Sequence, residues 1–165
     1  MKIILFTSDI SGLDLPIPSR NLTVVLPCNR LNTEKIWAVA TWCKAHNIPL
    51  TYQLKKNSAS YLEMEGLDPY EGIEGELGVS WMYTMLFPHE ILRRFPIKNF
   101  HAGLPGPHAL KKAIERRDKT IKCFWHWVDA GIDTGPVIAE RTIDLDQDFD
   151  RARADMIKTG IEIFK

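Results

Sequence analysis

Apolar residues along the chain fall into short blocks separated by polar turns, and the spacing within the blocks changes. Lys2 to Thr7 (KIILFT) and Leu22 to Leu26 (LTVVL) are unbroken apolar runs, the pattern of strands buried on both faces of a parallel sheet. Pro27, Cys28 and Asn29 then read as a turn. From Glu34 to His46 the period becomes helical: Ile36, Trp37, Val39, Ala40 and Cys43 share a face, Asn32 or Thr33 suits the N-cap, and Asn47 suits the C-terminal cap. Pro49 to Gln53 predicts a short third strand near an edge. Residues 54–75 are mostly polar, with a short helix expected over 58–65. The glutamates 63, 65, 71, 74 and 76 read as a solvated face. Beyond them the pattern predicts a strand over Glu76 to Met82, a short helix over Pro88 to Arg94 and a strand over Ile97 to His101. A helix from Ala109 to Arg117, strands at Thr120 to Val128 and Pro136 to Ile143, and a terminal helix from Asp148 follow. Ala152, Met156, Ile157, Ile161 and Phe164 are the apolar residues of that last helix.

Strands alternating with helices predict an α/β fold. The expectation is one domain over 1–165: a Rossmann-like three-layer sandwich, its mostly parallel twisted sheet carrying helices on both faces and its site outside the carboxyl ends of the central strands. The return at Asp129 to Gly135 predicts one antiparallel member. Ser8 to Ser19 (SDISGLDLPIPS) departs from the doubly wound pattern, because Pro16 and Pro18 argue against a helix after the first strand. No G-x-G-x-x-G occurs, which disfavours a dinucleotide site.

Composition narrows the partners. Lys plus Arg and Asp plus Glu both number 21, so the net charge is zero and the electrostatic footprint for nucleic acid or an anionic membrane is missing. The longest apolar stretches fall far below the ~18 residues of a bilayer span, and the N-terminal run is too short for a signal peptide. Three cysteines without a C-x-x-C read as free thiols, and the expected location is cytoplasmic.

The chemistry concentrates between Phe95 and Arg141. Asn99 and His101 are two apart on a strand and project to the same side; Asp133 lies in the turn AGIDTG. A carboxamide, an imidazole and a carboxylate suit acyl-group chemistry: oxyanion stabilisation, proton movement and control of the imidazole. His126 sits within a strand and reads as structural. His108 reads as a helix cap or surface residue, with lining of an acceptor pocket as its alternative. Gly103 and Gly106 allow tight turns, and Gly131 and Gly135 allow positive φ beside a ligand. The spacing of His101, His108, His126 and Asp133 matches no familiar metal motif, so no metal is expected.

N-x-H followed by L-P, then HWVDAGIDTGPVIAE, resembles the formyltransferases that use 10-formyltetrahydrofolate. The likeness is strong from Glu76 to about Glu140 and looser elsewhere. It implies Asn99, His101 and Asp133 as the catalytic trio, acting by direct amine attack through a tetrahedral intermediate. It implies a folate site from Ser80, Met82, Tyr83, Met85 and Leu86 together with Val128, Asp129, Ala130 and Gly131. An acceptor site would draw on Ser8, Ser11, Gly12, Gly103 and His108. Family members acting on a phosphoribosyl amine carry a Gly/Ser/Asn-rich loop after the first strand, reduced here to Ser8, Ser11 and Gly12. The loop AGLPGPH is also shorter than usual. The implied partner is a small-molecule amine, with glycinamide ribonucleotide or an amino sugar as candidates; the motifs leave the oligomeric state open. Hydrolysis of 10-formyltetrahydrofolate, or folate binding without an acceptor site, are the alternatives.

Overall fold

The computed structural model describes residues 1–28, 33–54 and 73–164. The chain's contacts gather into two compact units, Met1–Ile97 and Lys98–Lys165.

In the first unit, β1 (Ile3–Thr7), β2 (Leu22–Cys28), β3 (Leu50–Leu54) and β4 (Leu77–Trp81) lie in the order β3-β2-β1-β4, with each observed pairing parallel. The chain steps outward from β1 to β2 and β3, then crosses to β4 on the other side of β1. That reversal makes the β1–β4 boundary a switch point, where open α/β sheets form a crevice at the strand carboxyl ends. β1 is buried along its whole length, as its unbroken apolar run demands, and Val24, Val25, Leu26, Val79 and Trp81 extend the core on either side.

The proline pair has the expected effect after β1. In place of an α-helix there are two 3-10 turns, Ile10–Asp14 and Ser19–Asn21. Helix α1 (Thr33–Ala45) ends with Asn47 at φ 54°, and Ile48 N–H bonds to Cys43 carbonyl at 2.9 Å, a left-handed C-terminal cap. Two expectations need correction. Trp37 is 69% exposed, because Val39 and Cys43 define the buried stripe and Trp37 lies to one side of it. Pro27 and Cys28 continue β2 and do not turn the chain. The β1 register stops at Val25, so Pro27 has only β3 beside it, where a missing donor is tolerated. The Asn32 cap and the helix over 58–65 lie outside the described residues. Helix α2 (His89–Leu92) follows β4, with Pro88 as its N-cap.

In the second unit, β5 (Ile97–Ala102), β6 (Thr120–Trp127) and β7 (Val137–Asp144) form an antiparallel ladder in that order. Helix α3 (Ala109–Glu115) bridges β5 and β6, and α4 (Phe149–Glu162) follows β7. Asp148 caps α4 through Arg151 N–H, and the Trp125 indole donates to Gly160 carbonyl at 2.9 Å, tying α4 to β6. Lys98 is buried with its ammonium 3.7 Å from the centre of the Phe164 ring, and burial lowers its pKa. The fold is α/β and Rossmann-like, and β6 runs antiparallel to both β5 and β7.

Candidate functional site

The β5–β6 register builds the centre of the site. Asn99 lies directly opposite His126, and His101 opposite Phe124, so two polar residues of β5 share a face with His126. A bulge on β7, between the partners of Trp125 and His126, then feeds the turn that carries Asp133. Trp127 N–H closes that turn onto Pro136 carbonyl at 2.9 Å. Asp133 itself stands at φ 54°, a left-handed conformation that Asp tolerates better than most side chains.

The Asp133 carboxylate is surrounded by polar neighbours. Its Oδ1 accepts from Asn99 Nδ2 at 3.2 Å and lies 3.5 Å from His126 Nε2. Its Oδ2 accepts from Gly106 N–H at 2.9 Å and lies 3.4 Å from His101 Nδ1. The Gly106 bond joins the loop after β5 to the turn after β6. That loop turns at Gly103 and Gly106, whose φ angles of 87° and 103° confirm the expected tight turns.

Both histidines are held at two points. His126 is 2% exposed; its Nδ1 lies 2.9 Å from Trp127 carbonyl and its Nε2 3.1 Å from Asn99 Nδ2. A carbonyl only accepts, so the Nδ1 contact requires hydrogen on that nitrogen and leaves Nε2 toward Asn99 and Asp133. His101 Nε2 lies 2.8 Å from Leu104 carbonyl, so the nitrogen opposite Asp133 is covered by its own loop. For Asp133, burial pushes the pKa up. The His126 contact, the Gly106 N–H and the charges of His101 and His126 outweigh burial and leave it below the ordinary carboxylate value. The group is therefore ionised at neutral pH, where it can orient an imidazole and support positive charge on it.

No protein-family model matches the chain. A curated relative, the trifunctional purine biosynthetic protein adenosine-3 of Drosophila melanogaster, is 38% identical over 56 residues, which span 32% of this chain and 4% of that protein. The phosphoribosylglycinamide formyltransferase of Bacillus halodurans superposes with a TM-score of 0.74 at 22% identity, covering 99% of this chain and 91% of that one. The chain has the formyltransferase fold. A formyltetrahydrofolate deformylase from Pseudomonas putida shares it, with a TM-score of 0.67 at 19% identity, over 98% of this chain and 61% of that one.

Within this formyltransferase fold, the residues expected at the folate and acceptor sites have varied surroundings. Ser80 is buried within β4. Tyr83 packs on Phe6 and Phe87, and its hydroxyl donates to Gln53 Oε1 at 2.7 Å, while Gln53 Nε2 donates to Leu86 carbonyl at 3.2 Å. This pins the segment after β4 to β3. Met82 takes a φ of 50°, Met85 is half-buried, and the Leu86 side chain is 74% exposed. Val128 is half-buried; Asp129, Ala130 and Gly131 are exposed, with Asp129 Oδ1 accepting from Gly131 N–H and the Thr134 hydroxyl. Gly131 and Gly135 do not take positive φ. They are required by space: a Cβ on Gly131 would overlap Thr134, and one on Gly135 would overlap the Trp127 carbonyl. His108 takes the N-cap position of α3 at φ 60°, exposed and making no side-chain capping bond. Ser8 Oγ lies 3.4 Å from Thr84 Oγ1; Gly12 N–H bonds within its own turn, and Ser11 bonds to Asp9 and accepts from the Trp81 indole at 2.9 Å.

Sequence reasoning read His126 as structural and did not place it beside Asn99 and Asp133. Its position within a strand suggested packing alone, and only the antiparallel register with β5 shows it facing Asn99. The signal available was N-x-H on one strand and F-x-H on the next, which face one another in an antiparallel pair. The Leu104 carbonyl and Gly106 N–H were also missed, because a backbone group carries no residue signature.

Proposed function

We propose that the chain is a formyltransferase, moving a formyl group from 10-formyltetrahydrofolate to the primary amine of a small molecule. The observation that carries this reading is the Asp133 carboxylate, with Asn99, His101 and His126 all within 3.5 Å of it, in a chain with the formyltransferase fold. The amine attacks the formyl carbon, and a tetrahedral intermediate forms. An amide hydrogen of Asn99, released from His126, donates to the oxyanion. His101 exchanges the Leu104 carbonyl for the reacting groups and moves the proton from the amine to the leaving folate nitrogen. Asp133 stays ionised, fixes His101 through Nδ1 and supports its positive form. Glycinamide ribonucleotide and an amino sugar are the acceptor candidates. The reaction is suited to a cytoplasmic enzyme.

Calorimetric titration with 5-formyltetrahydrofolate, a stable stand-in for the donor, tests the folate site directly. Wild type is expected to bind saturably and Met85→Arg, which places a charge in the segment proposed to hold the folate, to lose binding. A folded wild type that fails to bind removes the activity proposed here. The deformylase of the same fold keeps hydrolysis as a second reading, with water in place of the amine. Formate release in the absence of any amine would favour it.

A further inference from the structure

Within the first unit, the amino-terminal ends of β1, β2 and β3 lie side by side, at the opposite end of the strands from the switch-point crevice. Ile3 pairs with Leu22, and Val24 pairs with Leu50 while its N–H bonds to Pro49 carbonyl at 2.9 Å. The chain entering each strand thereby borders one hollow of about 480 Å³. Its polar lining is Lys2, Arg20, Asn21, Thr23, His46 and Asn47, all within Met1–Ile97. The described lining holds no Asp or Glu, and among the described residues neither the Lys2 ammonium nor the Arg20 guanidinium has a carboxylate partner. Glu76 accepts from the Lys2 N–H at 2.6 Å, but it precedes β4, which pairs with β1 on the side away from β2. Thr23 is 9% exposed, and its hydroxyl has no hydrogen-bond partner among the described residues, although buried hydroxyls are normally bonded. The carboxyl end of α1 also reaches this hollow, and a helix end of that sign disfavours anions. Its carbonyls are already occupied: Trp42, Cys43 and Lys44 accept from the N–H groups of His46, Ile48 and Asn47 at 3.1, 2.9 and 3.3 Å. The His46 ring is fixed there by stacking on Trp42 and by its Nδ1, 2.9 Å from Trp42 carbonyl.

We infer that this hollow is a binding site for a small phosphate ester such as a sugar phosphate, at the end of the first unit's strands where neither the folate nor the formyl acceptor is proposed to bind. Lys2 and Arg20 answer the phosphate charge, and the guanidinium offers a fork of donors that matches two phosphate oxygens. The amides of Asn21 and Asn47 and the idle Thr23 hydroxyl bond to the phosphate or to the hydroxyls of the ester. The volume lies within the roughly 300–1,000 Å³ of small-molecule sites, and the polar lining suits a sugar better than an apolar group. The inference stands apart from formyl transfer and draws on the first unit alone.

The test is calorimetric titration of the whole chain with ribose 5-phosphate and with ribose. Wild type is expected to bind the phosphorylated sugar saturably, more weakly as salt is raised, and to show no binding of ribose over the same range. A double variant carrying Lys2→Gln and Arg20→Gln is expected to lose at least about tenfold in affinity. Both side chains are exposed, so the variant should fold; Arg20→Gln alone serves if it does not. Thr23→Val, which keeps the shape and removes the hydroxyl, is expected to weaken binding several-fold. Amide shifts followed by NMR in wild type should centre on Arg20 to Thr23 and His46 to Asn47. A folded wild type that ignores ribose 5-phosphate, or a double variant that binds it as tightly as wild type, overturns the inference. Formyl transfer is assayed separately, and its absence would sink the formyltransferase reading without touching the titration result.

Discussion

At the scale of single residues, the proposed reaction divides its work between two side chains. His101 is the group proposed to move a proton, so His101→Ala is expected to lower the rate of formyl transfer by about 100- to 10,000-fold. Single-turnover measurement on folded protein checks this, and near-wild-type activity would remove His101 from the mechanism. Asp133 acts through its neighbours, and its depressed pKa makes it an acid-sensitive support of the fold. A carboxylate with a lowered native pKa contributes stability that is complete above the unfolded value of ~3.9 and disappears as the pH falls through the native value. The stability difference between wild type and Asp133→Asn should therefore be largest above about pH 5 and shrink under acid. Urea denaturation on either side of that window measures it, and a difference independent of pH would contradict the ionised assignment.

At the scale of elements, the reach of the sequence pattern can be judged strand by strand. The apolar runs of β1 and β2 and the helical stripe of α1 were legible because burial on one or two faces leaves a period behind. Pro16 and Pro18 announced the missing helix for an equally local reason. Pro27 was misleading, since a proline breaks a strand's pairing only where its missing N–H would face a paired neighbour, and Pro27 has β3 on one side alone. The trio Asn99, His101 and Asp133 stood out by residue type, but its assembly depends on register and on a bulge in β7, which leave no mark on composition. Gly131 and Gly135 were recognised as special for the wrong physical reason. They are needed for close approach and not for the sign of φ. Gly135→Ala thus makes a sharp test: its Cβ meets the Trp127 carbonyl and should force the turn apart, destabilising the protein by about 1–3 kcal/mol. Thermal unfolding checks it, and an unchanged midpoint would mean that the turn yields freely.

At the scale of the whole molecule, the cluster between Asn99 and Asp133 occupies one of two compact units; of the residues expected at the folate site, Val128 to Gly131 lie in that same unit and Ser80 to Leu86 in the other. Backbone strain and side-chain bonding also compete at one position. Asp133 holds a left-handed backbone that carries a penalty of roughly 1 kcal/mol or more for a side-chain-bearing residue. Glycine would relieve that strain but would also remove the carboxylate that accepts from Asn99 and the Gly106 N–H. A library screened only for survival at high temperature therefore weighs backbone relief against lost hydrogen bonds, whereas a screen that also demands turnover should keep the aspartate. The order in which such selections are applied would decide whether an evolved descendant of this chain keeps its chemistry.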